Sequence, residues 1–445
     1  MGTQAPVAER LMSLLYCNDT QGQWPPSWYA ATAHDSPSYP PLQGATRADA
    51  VVVGAGFTGL SAALHLAQEG LDVVLVDAHR VGFGASGRNG GQLGSGQRQD
   101  QDSLRNMLGH AEAQLLWDLG EEAKALVRGL IAQHQIDCAY RPGVAWLGFG
   151  AGETAKMHAY AETLARSYNY DQIQPLDAQA AQALCPSPAY HGGILDMGAG
   201  HLHPLNFALG LARAAQQAGV RIFENTAVTG VTPGTPARVD TGQGHILADQ
   251  VILAANGYLG GLNRQVASRV MPINNFIIAT APLGPRAAQV LTRDVAVADT
   301  KFVVNYFRLS HDGRLLFGGG ESYGDRFPSD IAATVRKPML HIFPHLADVP
   351  IDYAWGGTLA ITTKRLPYLA RLAPNMWSAS GYSGHGVGTA THAGQLIAKA
   401  IMGQAAGFDV MARLPVSKFP GGPGLRQPLL ALAMSWFALR DRLGF

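Results

Sequence analysis

Cysteine is nearly missing. Cys17, Cys138 and Cys185 stand far apart in 445 residues, in no C-x-x-C pair. An odd, scattered set argues for reduced thiols in a cytosol and against a disulfide framework. The fifteen histidines form no H-E-x-x-H, and His201-x-His203 stands alone, so no metal is expected. Charged residues are only 15% of the chain and net charge is +1, with no basic block or interleaved aromatic stripe, so a nucleic-acid partner has no support. No run reaches the roughly 18 apolar residues of a membrane span. The N-terminus lacks the basic and apolar regions of a signal peptide. The most apolar segment, "PLLALAMSWFALRDRLGF", has about the length of a buried helix and is read as packed on the body.

What remains is a chain with 47% apolar residues, longer than one core usually serves, which is the composition of a two-domain globular enzyme. Residues 1–46, rich in Pro, Ser, Thr and aromatics, read as an arm laid over the surface. "DAVVVGAG" is then a buried strand, followed by a helical face of Leu60, Ala63, Leu64 and Ala67, a stop at Gly70 and a second strand, "DVVLVD". Leu115, Leu119, Leu126, Leu130 and Ile131 recur at helical spacing over 103–134. Pro204 opens a helix that Gly219 closes, and "HDG" turns "KFVVNYFRLS" back into "RLLFGGG" as antiparallel strands. The pattern predicts a nucleotide-binding α/β domain interleaved with an antiparallel one.

Gly54-x-Gly56-x-x-Gly59 follows the first strand and opens the helix, and Asp77 ends the second strand. That context turns a weak motif into a dinucleotide fingerprint: a tight turn at Gly54, close approach to pyrophosphate at Gly56, helix–strand packing at Gly59, and a ribose acceptor at Asp77. Ala55, Phe57 and Thr58 join the same turn, and the helix N-terminus offers N–H groups to phosphate. The fingerprint alone leaves NAD and FAD open. "SGYSGHGVGTATHAG" favours FAD, because Gly384, His385, Gly386, Val387, Gly388 and Thr389 open a second helix whose dipole suits a reduced flavin. "GFGASGRNGGQL" is read as the loop crossing the cofactor: Gly87, Gly90 and Gly91 for close backbone approach, and Ser86, Arg88 and Asn89 as donors. Ala78, Gly84, Ala85, Gln92, Val228 and Gly257 complete the expected cofactor wall.

These segments, taken with "GHLHPLNFALG" and "NYFRLSHDGRLLFGGG" in this order, closely resemble the D-amino-acid-oxidase-like, FAD-dependent amine oxidoreductases over nearly the whole chain. The resemblance implies α/β plus α+β architecture: a Rossmann-like FAD domain from 47–100, 196–265 and 356–405, interleaved with an antiparallel-sheet substrate domain from 101–195 and 266–355, with 406–445 as tail and helix. It implies oxidation of a C–N bond to an imine, hydrolysis to aldehyde and ammonia, and reoxidation of the flavin by dioxygen to peroxide, in polyamine degradation. The substrate would be a γ-glutamylated diamine. Neither "GASGRNGGQ" nor "TTKRLPYLARL" holds a His or Cys, so the flavin is expected to be non-covalent.

By the same resemblance Arg308 faces a substrate carboxylate, which its fork would suit; a surface ion pair is the other reading. Tyr306, Phe307, Trp355 and Tyr382 are candidates to line a desolvating pocket or are ordinary packing residues. His385 either steadies charge near the flavin ring or serves the local backbone. His201 and His203 either orient substrate or cap the turn, and Glu321 and Tyr323 follow a triple glycine with no assigned role. The alternatives are an oxidase of glycine, sarcosine or D-amino acids, a flavin dehydrogenase using a quinone, or a flavin-binding regulator.

Overall fold

Two sheets organise the chain, and both reach into one cavity. The computed structural model describes residues 14–34, 37–301 and 303–420. The first sheet runs in the order Tyr368–Ala373, Met376–Ser380, Gly244–Leu253, Gly44–Val53, Val73–Val76, Arg221–Phe223. Its central strands are parallel, with Val51 beside Val251 and Val74. Parallel strands are covered on both faces, which is why they read as unbroken apolar runs; Ala50, Val51 and Val52 are fully buried. The helices Phe57–Gln68, Pro204–Gln217 and Gly386–Ile401 share a core on one face through Leu60, Phe207 and Ile397. The antiparallel pair Val228–Thr232 and Ala237–Thr241 joins the sheet through Gly244–Leu253 and covers the other face with Val239.

The second sheet has nine strands: Ile351–Ile361, Met271–Thr280, Leu315–Ser322, Tyr306–Leu309, Ala296–Asp299, Arg141–Gly148, Gly192–His201 and Gln92–Leu93 in order, with Ile173–Leu176 added beside Gly192–His201. All its pairings are antiparallel except Ala296–Asp299 against Arg141–Gly148. The helix Ile331–Ile342 seals it through Val335, Met339 and Ile342 on Phe276, Phe307 and Phe317.

The strands locate the domain crossings differently from the sequence-based boundaries. Gly192–His201 lies in the second sheet along its whole length, as does Ile351–Ile361, so the crossings at 196 and 356 fall inside strands. Gln92–Leu93, expected in the cofactor domain, pairs with His201 and Gly200 of the second sheet. The long helix His110–Gln133 packs Leu116, Leu119 and Val127 into the first core, with Leu115 left exposed. The N-terminal segment is no surface arm either: Trp28 and Tyr29, on the short helix Trp28–Ala31, are buried. The apolar C-terminal segment, 428–445, lies outside the described residues. Among the described residues no helix is long and apolar enough to cross a membrane.

Candidate active site

The fingerprint turn is built from backbone. Gly54 has φ +109°, a conformation L side chains rarely adopt. A Cβ on Gly59 would lie 1.8 Å from the Gly54 carbonyl oxygen, so only glycine lets the helix start this close to its strand. The helix N-cap, Gly56, offers no side-chain cap; the Phe57 N–H is met from outside by Ser86 Oγ at 2.9 Å. Asp77 accepts from the Ala55 N–H at 2.7 Å and the His79 N–H at 2.8 Å. Its carboxyl is pushed up to about 6, chiefly by burial, against the pull of those two N–H groups.

A cavity of about 740 Å³ begins at this turn and continues to the second sheet. Gly54, Gly56, Phe57, Thr58, Asp77 and Ala78 line its first part. Gly84, Ala85, Ser86, Arg88, Asn89, Gly90 and Gln92 form the crossing loop, and Val228 lies opposite. Gly384, His385, Gly386 and Val387 bring a second helix N-terminus to the same cavity, again without a side-chain cap. Tyr306 and Tyr382 line it too, the latter with its hydroxyl 2.6 Å from Thr58 Oγ1. Of the remaining residues expected at the cofactor, Ala55, Gly59, Gly91, Gly257, Gly388 and Thr389 stand behind the wall.

The crossing loop is held by the protein itself. Arg88 is buried: its Nε donates to Phe83 O at 2.6 Å, and one terminal nitrogen donates to Gly356 O at 3.0 Å and Asp19 Oδ1 at 3.1 Å. The other terminal nitrogen, also buried, has no protein partner among the described residues. Asn89 folds back, donating to Ala85 O and Ser86 O and accepting from the Gly91 N–H. Its amide braces the loop, and the residue lines the cavity. Gly87 and Gly91 likewise serve packing: a Cβ would meet Gly82 O at 2.2 Å or Leu202 O at 2.0 Å. Gly90 does line the cavity, but what excludes a side chain there is the Tyr306 ring, 2.7 Å from a would-be Cβ.

Three of the residues expected at the substrate, Arg308, Trp355 and Phe307, do not reach the cavity. The Arg308 guanidinium is buried and donates to the carbonyls of Gly90 (3.2 Å), Leu202 (3.1 Å) and Leu309 (3.5 Å) and to the Tyr29 hydroxyl (3.3 Å). It clamps the crossing loop to the N-terminal helix. Trp355 is buried and donates its indole N–H to Arg88 O at 3.1 Å. Phe307, its neighbour in sequence to Tyr306, alternates to the other face of its strand and packs on Phe317 and Phe343. His203 caps its helix by accepting from the Asn206 N–H, as the sequence suggests.

At the far end of the cavity stand residues that no pattern announced: Arg98, Arg365 and Lys301, with Trp146, Tyr160 and Asn275, beside Glu321 and Tyr323. Tyr306 donates to Asn275 Oδ1. His385 Nε2 contacts Gly96 O at 3.1 Å, and burial together with Arg98 lowers its pKa to about 4, so the ring is neutral near pH 7 and supplies no positive charge. The N-terminal segment closes the opposite side: Leu15 lines the cavity, its carbonyl takes His79 Nε2 at 2.8 Å, and Asn18 joins Asp325 and Phe327 of the substrate side.

A fingerprint turn, a Rossmann-like sheet and two uncapped helix N-termini on one cavity define a dinucleotide-binding oxidoreductase with a second, antiparallel domain over the reactive end. Residues 49–400 match the family described as FAD dependent oxidoreductase. The chain belongs to that family, and its cofactor is FAD. It is 42% identical to the gamma-glutamylputrescine oxidoreductase of Escherichia coli (strain K12) over 94% of this chain and 98% of that one. It is also 42% identical to a probable oxidoreductase, OrdL, of Rhizobium meliloti (strain 1021), over 94% and 97%. Among solved structures, glycine oxidase from Geobacillus kaustophilus superposes with a TM-score of 0.69 at 21% identity, covering 81% of this chain and 95% of that one. The residues present fit the cofactor: glycine turns that bar a Cβ, two helix N-termini whose N-caps offer no side-chain cap, and the orphaned buried nitrogen of Arg88, a residue of the same cavity wall.

Proposed function

We propose that this protein oxidises the amine of a γ-glutamylated diamine to an imine with FAD as the acceptor, that water hydrolyses the imine to aldehyde and ammonia, and that dioxygen takes the two electrons from the reduced cofactor and leaves as hydrogen peroxide. The observation that carries the reading is the continuity of the cavity: the cofactor wall runs into a chamber lined by aromatic side chains, among them Trp146 and Tyr306 on strands of the second sheet, and by Arg98, Lys301 and Arg365 on loops. Full-length similarity to an enzyme named for gamma-glutamylputrescine supports the choice of substrate.

Bound FAD would supply a two-electron acceptor for the C–H bond beside the amine nitrogen. The fingerprint turn and Asp77 would hold its nucleotide half, and the N-terminus of Gly386–Ile401 would face the ring and favour its reduced, anionic form. We infer that the link is non-covalent: no cysteine lines the cavity, His79 Nε2 is engaged by Leu15 O, and His385 Nε2 by Gly96 O.

An alkylamine with a pKa near about 10 must lose a proton before it reacts. A chamber walled by Trp146, Tyr160, Tyr306 and Tyr323 disfavours the ammonium by desolvation. Tyr306, fixed by Asn275 and laid against Gly90 and Gly318, gives that chamber a rigid face. Rigid walls hold the reacting carbon at one distance, which is worth more here than a strong base. No covalent intermediate with the protein is needed.

The test is anaerobic flavin bleaching with γ-glutamylputrescine, free putrescine, glycine, sarcosine and D-alanine, followed by oxygen uptake and peroxide assay. Bleaching by γ-glutamylputrescine with peroxide on aeration is expected. Bleaching only by the three short amino acids would sink the substrate assignment, and bleaching without oxygen uptake would point to a quinone-type acceptor.

A further inference from the structure

We propose that Arg98, Arg365 and Glu321 form the subsite for the α-amino-acid head of the substrate, the two guanidinium groups on its carboxylate and Glu321 on its ammonium. This rests on the reading of a γ-glutamylated substrate above. The three come from separate segments and line the same end of the cavity, with Tyr323 and Ser383 beside them.

Arg98 is oriented from one edge: its Nε donates to Ser383 O at 3.2 Å. The terminal nitrogens are left facing the cavity, and no carboxylate of the described residues is within ion-pair distance of them. The pair Arg98 and Arg365 repel each other, and burial with that repulsion lowers Arg98 to about 10. A bound carboxylate relieves both penalties at once, and a guanidinium fork matches its two oxygens. Glu321 Oε2 accepts from the Tyr323 hydroxyl at 2.9 Å. Tyr323 fixes the carboxylate's orientation and leaves Oε1 for an ammonium. Burial raises the Glu321 pKa, while Tyr323, Arg365 and Arg98 pull it down.

Selectivity follows from pairing. A zwitterionic head meets the guanidinium groups with its carboxylate and Glu321 with its ammonium, whereas the second ammonium of a free diamine meets Glu321 alone and gains nothing from Arg98. Of the other cations near the site, Arg308 is behind the wall and Lys301 rests its ammonium 4.6 Å over the Phe149 ring.

The test uses holoenzyme and three amides of putrescine: γ-glutamyl, glutaryl (no α-ammonium) and 4-aminobutanoyl (no α-carboxylate). Anaerobic stopped-flow flavin reduction separates binding from the limiting rate. For Arg98→Gln and Arg365→Gln the expected result is binding weakened on the order of 10–100-fold for the two carboxylate-bearing amides and little changed for the 4-aminobutanoyl one. Glu321→Gln is expected to weaken the γ-glutamyl and 4-aminobutanoyl amides and spare the glutaryl amide. The limiting rate stays near wild type throughout. Equal weakening of all three amides, no weakening, or loss of flavin from both arginine variants overturns the subsite. Failure of the wild type to bleach with any amide overturns the substrate reading itself, and the two failures are told apart by that control.

Discussion

The two ends of the cavity are made of different material. At the fingerprint end the groups come from one short stretch of chain and most are backbone: the turn at Gly54 and Gly56, the N–H groups of the first helix, and a loop braced by Ser86 and Asn89. At the Arg98 end they are side chains from separate segments, near 98, 146, 301, 321 and 365, carried by strands of the second sheet and the loops that leave them. A site made of backbone leaves marks in sequence, because close approach demands glycine at fixed intervals. A site made of side chains demands only that they point the same way, and spacing does not record that.

The arginines make the contrast concrete. Arg88 and Arg308 lie in segments that read as functional, and Arg98 does not. Arg88 and Arg308 are buried on backbone carbonyls, joined in the first case by Asp19, whereas Arg98 turns its fork to the cavity. Burial on carbonyls makes an arginine a clamp; exposure to a cavity makes it a ligand.

The largest break is expected from Gly59→Ala, which drives a Cβ into the Gly54 carbonyl. Its cost is on the order of 4 kcal/mol or more, with little flavin retained, checked by flavin absorbance per chain and denaturant unfolding. Asp19→Asn comes next. It strands the Arg88 charge, whose side chain is 1% exposed, at a cost of roughly 3–5 kcal/mol, and should speed flavin release on dilution. Arg308→Met should cost about 2–4 kcal/mol of stability while the folded fraction keeps its substrate affinity. Unchanged stability with weakened substrate binding would instead return Arg308 to the binding site and erase the contrast.

A gentler probe is pH, because the buried histidines and the buried Asp77 act with opposite sign. His385 is lowered to about 4, as is His392, and His201 and His203 to about 3. Below about pH 6.5 the unfolded chain protonates these groups before the native one does, so stability falls as pH drops from 6.5 toward 4. Asp77, raised to about 6, does the reverse: the native carboxyl keeps its proton longer, and its contribution is lost as pH rises from about 4 through 6. Histidines outnumber the raised carboxyls, so a net loss of stability on acidification is expected in denaturant midpoints. Asp77→Asn should steepen that loss.

Much of the cofactor end was legible. The strand–turn–helix unit, Asp77, the crossing loop and the helix after Gly384 follow from glycine spacing and apolar runs, and the alternation that separates Tyr306 from Phe307 is a period-two rule. The errors share one cause. Gly91, Trp355 and Arg308 have the residue types of a site, but their partners are protein groups that only become neighbours after folding. The N-terminal segment misled for the same reason: its composition suits a surface, yet Trp28 and Tyr29 find a buried place between the Arg308 clamp and His203.

The sequence by itself determined the parallel sheet, the fingerprint and the family, because backbone approach and strand burial constrain residue type locally. Only the tertiary structure decided which charged side chains face the cavity. Direction there is set by packing among strands and loops far apart in sequence, so Arg308 is turned inward to the protein and Arg98, bare of any motif, is turned toward the chamber.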